Sequence, residues 1–90
     1  MPLHVLTGPQ ASGKTRRLRA RQDELHAQDI SVVIITGNTC TTPYLIARIQ
    51  QHVEAGARYF LADDCTREQI KAVQQLDLPE HFTLYLVRQA

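Results

Sequence analysis

Four short apolar runs alternate with three stretches of helical periodicity along the chain. Near-continuous apolar runs of this length are typical of strands that are buried on both faces of a sheet. The second run is the richest in β-branched residues, and a Gly-Asn pair closes it. The runs cover residues 3–7, 30–36, 58–62 and 82–87.

Each helical stretch between the runs carries its own boundary signals. The first, from residue 13 to about residue 27, has no proline but only a thin apolar stripe. In the second, Thr42 is placed to cap the N-terminus, and Pro43 fits the first helical position. Gly56 is placed to end that helix.

The third helical stretch opens with Thr66 and has Gln69 three residues later, a pair typical of a capping box. Pro79 is expected to stop this helix. Strands and helices therefore alternate along the whole sequence. This order predicts an α/β fold, with a four-stranded, mostly parallel sheet and three flanking helices, in a single domain over residues 1–90.

Charge and composition exclude several classes of protein. Ten basic residues face nine acidic ones, so the net charge is +1. A strongly basic nucleic-acid module and a charge-rich disordered tail are both excluded as descriptions of the whole chain, and nucleic acid is not a favoured partner. No apolar run approaches the length of a membrane span, and residues 1–4 do not resemble a signal peptide. We expect no membrane partner and a cytoplasmic location.

The segment between the first strand and the first helix carries the candidate chemistry. It matches the pattern G-x-x-x-x-G-K-[ST], and a chance match in a chain of this length has a probability of roughly a few in a thousand. The strand before it and the helix after it are the context that this pattern requires. The matching residues are Gly8, Pro9, Gln10, Ala11, Ser12, Gly13, Lys14 and Thr15.

Each residue type in this segment suits the binding of a polyphosphate. Backbone N–H groups of a glycine-rich turn form a concave nest for anions, and the N-terminus of the next helix adds its positive dipole. Lys14 supplies a mobile positive charge for the outer phosphates, and the hydroxyl of Thr15 is a hard oxygen ligand for Mg²⁺. The backbone N–H of Arg16 follows into the same site. The alternative is a plain glycine-containing turn with an exposed lysine.

On this motif the chain resembles the P-loop NTPase family, whose Walker A element is the pattern above. The family's second element, Walker B, is an apolar strand that ends in an acidic residue, and residues 59–64 fit that description. The resemblance implies that Asp63 holds Mg²⁺ through water. In the additional-strand branch (RecA-like and AAA-like ATPases) a glutamate usually follows and polarises the attacking water. Here that position is Asp64, which is one methylene shorter.

The same resemblance implies a minimal fold with strand order 1-4-3-2. The first strand then lies at an edge of the sheet, and the first helix alone covers one face. We expect a homo-oligomer or a protein partner to cover this open edge. The GTPase patterns Asp-x-x-Gly after the third strand and Asn-Lys-x-Asp are absent from the sequence, which favours ATP over GTP.

The expected function is binding of ATP, or another NTP, with slow Mg²⁺-dependent hydrolysis. In this interpretation Lys14 and Asp64 are catalytic, and Thr15 and Asp63 hold the metal. The alternative is a non-hydrolysing module in which nucleotide orders a surface for a protein partner. A small phosphotransferase is a third interpretation, but no segment offers a second substrate pocket.

Other polar positions leave alternatives open. Arg16 and Arg17 are placed to hold the nucleotide or to face an anionic partner, whereas we interpret Arg19 and Arg21 as a solvated helix face. Residues 36–39 follow the second strand at the edge where open α/β sheets bind ligands. We interpret them as a turn, with contact to water or a partner as the alternative. Cys40 and Cys65 are expected to be free thiols.

Overall fold

A computed structural model describes residues 3–8 and 13–89, and within them it contains a four-stranded sheet and three α-helices. All the strand pairings are parallel, which confirms the α/β fold expected from the sequence. The elements in chain order are β1 (Leu3–Leu6), α1 (Lys14–Ala27), β2 (Ile34–Thr36), a 3₁₀ turn (Gly37–Thr39), α2 (Thr42–Glu54), β3 (Tyr59–Cys65), α3 (Arg67–Gln74) and β4 (Thr83–Arg88).

The strands lie in the order β1-β4-β3-β2, so the expected order 1-4-3-2 is confirmed. β1 therefore pairs only with β4, and β2 pairs only with β3, among the described residues. Because every strand runs in the same direction, all four carboxyl ends meet at one edge of the sheet. That edge is where an open α/β sheet binds its ligand.

The two faces of the sheet carry separate hydrophobic clusters. α2 and α3 pack on one face, where the buried side chains of Phe60, Ala62, Leu84 and Leu86 meet those of both helices. α1 packs on the other face over a smaller cluster, which contains Leu18, Leu25, Leu61 and Val87. Within the described residues, α1 is the only helix on its face, as the strand order requires for right-handed crossovers.

β2 is much shorter than its apolar run predicts. Only Ile34–Thr36 pair with β3, and Val33 is 60% exposed, so the prediction of a strand from residue 30 is wrong. The side chain of Gln22 on α1 instead donates a hydrogen bond to the carbonyl of Val32, 2.8 Å away. An edge strand has one neighbour only, and here the preceding residues bond to the helix rather than to the sheet.

α2 is capped one residue earlier than expected. The hydroxyl of Thr41 accepts a hydrogen bond from the backbone N–H of Tyr44 at 3.2 Å, so Thr41 and not Thr42 is the N-cap. Thr42 and Pro43 occupy the first helical positions, where proline needs no hydrogen-bond partner for its nitrogen. Gly56 follows the helix with φ of +84°, as predicted for the residue that ends it.

β3 continues past its apolar run to Cys65, through a bulge. Ala62 pairs with Leu86 and Cys65 pairs with Arg88, so two residues of β3 lie opposite one residue of β4.

α3 has the capping box expected at its start, but it ends at Gln74, well before Pro79. None of the helices in residues 3–8 and 13–89 has the length and hydrophobicity of a membrane-spanning segment.

Candidate functional site

The first turn of α1 is built to attract an anion. Gly13 precedes it with φ of +85° and ψ of 14°, a left-handed conformation that glycine adopts without strain. The first bond of the helix joins the N–H of Arg17 to the carbonyl of Gly13 at 3.0 Å. The N–H groups of Lys14, Thr15 and Arg16 therefore have no partner within the helix. The first turn carries no acidic residue that would compete for them.

Lys14 points into the protein at the carboxyl edge of the sheet. Its side chain is buried, and its ammonium donates hydrogen bonds to the carbonyl oxygen of Gly8 at 2.7 Å and to that of Arg88 at 3.1 Å. The cation thus bridges the start of the glycine-containing segment and the end of β4. Neutral carbonyls are weaker partners for an ammonium than a charged oxyanion is, so a phosphate is chemically able to displace them.

Thr15 and Asp63 meet at the same edge although they are far apart in sequence. The hydroxyl of Thr15 donates to a carboxylate oxygen of Asp63 at 3.2 Å. Both residues are half-buried. Side chains alternate along a strand, and Tyr59 and Leu61 pack on the α1 face, so Asp63 lies on that face too.

This pair of oxygens fits Mg²⁺. Mg²⁺ is commonly held by one or two protein oxygens, with water and substrate phosphates in its other positions. Within the described ranges, no group of three or more His, Cys, Asp and Glu side chains is arranged to hold a metal ion. A metal at Thr15 and Asp63 would thus depend on the ligand for its remaining oxygens.

Asp64 occupies the bulge of β3, directly after Asp63. It has φ of +57°, in the left-handed region, and it is half-buried. Aspartate tolerates this conformation better than most residues. A non-glycine residue held there at a sheet edge beside a candidate site is the kind of local strain found at functional positions.

The exposure of the arginines of α1 differs from the expectation at one position, Arg21. Arg16, Arg17 and Arg19 are exposed. Arg21, interpreted from the sequence as part of a solvated face, instead lies over the ring of Tyr85 with its guanidinium carbon 5.1 Å from the ring centroid. It also pairs with Glu24 at 2.7 Å. Arg21 therefore packs on the sheet and is not available to a ligand at the carboxyl edge. Pro9, Gln10, Ala11 and Ser12 lie outside the described residues.

Gln69 is a buried polar residue. The sequence indicated that it caps α3, but it did not indicate any further role. Its side-chain nitrogen donates to the carbonyl of Gly37 at 2.7 Å and to that of Cys40 at 3.0 Å. Its oxygen accepts from the N–H of Thr66 at 2.9 Å. One amide therefore joins α3 to both ends of the segment that follows β2. The capping box was visible in the sequence, but these two non-local bonds were not.

The two cysteines are free thiols, as expected, and they differ in exposure. Burial raises the pKa of Cys65 from 9.0 to about 12, and the negative charges of Asp63 and Asp64 add to this effect. Cys40 is only half-buried. Since thiolates are the reactive form, Cys65 is chemically protected in the folded protein.

We predict that a maleimide at pH 8 modifies one thiol of the native protein, and none in Cys40→Ser until a denaturant is added. Mass spectrometry of the adducts measures this. Above pH 9 the unfolded thiol of Cys65 loses its proton while the folded one keeps it up to about pH 12, so stability falls as the pH rises through that range. Rapid labelling of Cys65 in native Cys40→Ser would contradict its burial.

Comparisons of the chain with protein-family models, with curated proteins and with solved structures find no match.

Proposed function

We propose that this protein binds a nucleoside triphosphate, ATP in preference to GTP, together with Mg²⁺ at the carboxyl edge of its sheet, and hydrolyses it slowly. The observation that carries the proposal is the contact between Thr15 and Asp63, 3.2 Å apart and next to an inward-pointing Lys14. Lys14 and Thr15 lie in the first turn of α1 and Asp63 lies in β3, and together the three groups suit phosphate and metal.

The chain's own groups provide the binding steps. The N–H groups of Lys14, Thr15 and Arg16 are oriented to donate to phosphate oxygens, with the positive end of the helix dipole behind them. The ammonium of Lys14 exchanges the carbonyls of Gly8 and Arg88 for the outer phosphates. Arg16 and Arg17 add positive charge at the exposed rim. Lys14 then also stabilises the negative charge that develops during transfer of the terminal phosphoryl group.

The metal site contributes to the same reaction. Mg²⁺, when bound, neutralises phosphate charge and orients the outer phosphates. Thr15 and Asp63 would supply two oxygens for it, and the Thr15 hydroxyl would then no longer donate to the Asp63 carboxylate. Asp64, held in the adjacent bulge, is the carboxylate proposed to orient the attacking water.

Isothermal titration calorimetry of the wild-type protein with ATP, with and without Mg²⁺, tests the binding proposal. We expect binding that is tighter in the presence of Mg²⁺ and competed by ADP. No heat at millimolar ATP in either condition would refute nucleotide binding. A titration with GTP under the same conditions tests the preferred base.

We predict that Asp64→Asn binds ATP as the wild type does but turns it over about fivefold more slowly. Asparagine tolerates the left-handed conformation and keeps one acceptor oxygen, but it loses the charge that orients water, a loss of about 1 kcal/mol. Phosphate release under saturating Mg-ATP measures this, with Asp77→Asn on the exposed surface as a matched control. Equal turnover of Asp64→Asn and the wild type would remove Asp64 from the reaction.

A non-hydrolysing module is the second candidate, and the position of Lys14 favours it. Because the ammonium is bonded to the carbonyl of Arg88, nucleotide binding would release the end of β4. Nucleotide would then change the surface that a partner contacts. Tight binding of ATP with no phosphate release distinguishes this module from the slow hydrolase.

We further propose that a second copy or another protein covers the outer edge of β1. β1 pairs only with β4 among the described residues, and the exposed ring of His4 stacks on Tyr85 at 4.7 Å between centroids. An edge strand without charged side chains readily pairs with another chain. Sedimentation of the purified protein, which has a chain mass of 10.2 kDa, tests for self-association.

A further inference from the structure

The register of β2 places a hydroxyl beside the candidate metal site. Thr36 pairs with Asp63 across neighbouring parallel strands. Ile34 packs on the α1 face, so Thr36, two residues later, lies on that same face. Neighbouring strands are about 4.8 Å apart. The exposed Thr36 is therefore one strand spacing from Asp63, on the same side of the sheet as Thr15.

The segment that follows Thr36 is fixed by the Gln69 lock, which we define as the bonds from the Gln69 side-chain nitrogen to the carbonyls of Gly37 and Cys40. The Gln69 side chain is 2% exposed, so these bonds are shielded from water. A Cβ on Gly37 would lie 3.0 Å from the Cα of Cys65, which leaves no room for the segment to shift toward β3. The position of Thr36 at the end of β2 is therefore fixed by the segment that follows it.

The order of groups along the edge indicates which phosphate Thr36 faces. Gly8 follows β1, Arg88 ends β4, Asp63 lies in β3 and Thr36 ends β2. Lys14 reaches from the β1 side, and a metal held by Thr15 and Asp63 would neutralise charge on the outer phosphates. The position beyond Asp63, far from the start of the glycine-containing segment, would then be next to the terminal phosphate.

We propose that the Thr36 hydroxyl, held in place by the Gln69 lock, binds the terminal phosphate or a water on its metal, and so makes the site select triphosphate over diphosphate. This inference rests on the proposed function and goes beyond it, because it assigns the selectivity to β2. Thr36 is a binding residue in this proposal, and Gln69 is a positioning residue that acts through it.

The test measures affinity rather than turnover. Calorimetry with Mg²⁺ compares ADP with the β,γ-imido analogue of ATP, which is not hydrolysed readily. Thr36→Val keeps the shape and the β propensity of threonine and removes only the hydroxyl. We expect it to weaken binding of the analogue about tenfold, which corresponds to one hydrogen bond to a charged group, and to leave ADP affinity within about twofold of the wild type. Thr83→Val, at the opposite end of the sheet, is the matched control.

The lock is tested separately with Gln69→Glu. The carboxylate cannot donate to the carbonyls of Gly37 and Cys40, so the segment loses its fixed position. We expect selective loss of analogue affinity, as in Thr36→Val, and no further loss in the double variant. Gln74→Glu, exposed at the end of α3, controls for the added charge. If Gln69→Glu does not fold, Thr36→Val alone still tests the assignment.

The outcomes separate this inference from the function on which it rests. Equal weakening of both nucleotides by Thr36→Val, or no weakening of either, overturns the role of Thr36 while nucleotide binding stands. Selective weakening in Thr36→Val but not in folded Gln69→Glu overturns the lock. A wild-type protein that binds neither nucleotide overturns both proposals.

Discussion

Lys14→Met is expected to weaken binding of Mg-ATP at least a hundredfold. Methionine keeps most of the aliphatic stem and removes the ammonium, which in the free protein is bonded to the carbonyls of Gly8 and Arg88 and in the complex would face the outer phosphates. Loss of an attraction to two phosphates in a partly buried site corresponds to about 3 kcal/mol, and every 1.4 kcal/mol is about tenfold in affinity. Calorimetry with Mg-ATP measures the change.

The chain contains one other lysine, which provides the control. Lys71 is exposed on α3, and Lys71→Met should bind Mg-ATP as the wild type does. Circular dichroism of Lys14→Met should show a folded protein, because the variant also removes a buried charge. A folded Lys14→Met with wild-type affinity would show that the ammonium does not face the phosphates, and the proposed function would then lose its central residue.

Gly37→Ala is expected to destabilise the fold by about 1–3 kcal/mol, the usual cost of overpacking. An added Cβ would lie 2.9 Å from the side-chain oxygen of Gln69 and 3.0 Å from both the Cα and the Sγ of Cys65. The side chains of Gln69 and Cys65 have little freedom to move because both residues are buried, and the Cα of Cys65 is part of β3. For a domain of this size the change lowers the melting temperature by roughly 10 °C.

Gly56→Ala separates this steric effect from backbone strain. Gly56 has φ of +84° but open space where a Cβ would lie, so alanine there costs only the conformational penalty, about 1 kcal/mol. Urea denaturation of both variants measures the difference. If Gly37→Ala were as stable as the wild type, the close packing of the segment after β2 against β3 would be wrong, and with it the Gln69 lock.

The sequence predicted the kinds of elements better than their extents. Continuous apolar runs indicated four strands, and the two central strands, β3 and β4, are the ones that contain buried residues. The prediction of a strand over residues 30–36 was too long because β-branched residues favour extended backbone whether or not it pairs with a sheet. The hydrogen bond from Gln22 to Val32 shows that the first part of this segment contacts α1 instead of pairing with β3. At the start of α2 two adjacent threonines were equivalent candidates, and only the geometry distinguishes Thr41.

The sequence likewise predicted some residues of the candidate site and missed others. Lys14 and Thr15 were visible because a glycine-rich pattern with fixed spacing has a known physical purpose, and Asp63 because it directly follows an apolar run. The bulge at Asp64 and the placement of Thr36 beside Asp63 depend on register between strands, which no local pattern encodes. The bonds from Gln69 to Gly37 and Cys40 link distant segments, and a glutamine in a capping box gives no signal for them.

The strand order also governs when the site can come into existence. β1 has β4 as its only described neighbour, and these are the first and the last of the four described strands. During synthesis the ribosome must release residue 88 before Leu3–Leu6 can pair and before the Arg88 carbonyl is present to receive Lys14. Such distant pairing slows folding. A nascent chain that stops short of β4 therefore has the glycine-containing segment but lacks both the strand that pairs with β1 and the carbonyl that accepts from Lys14.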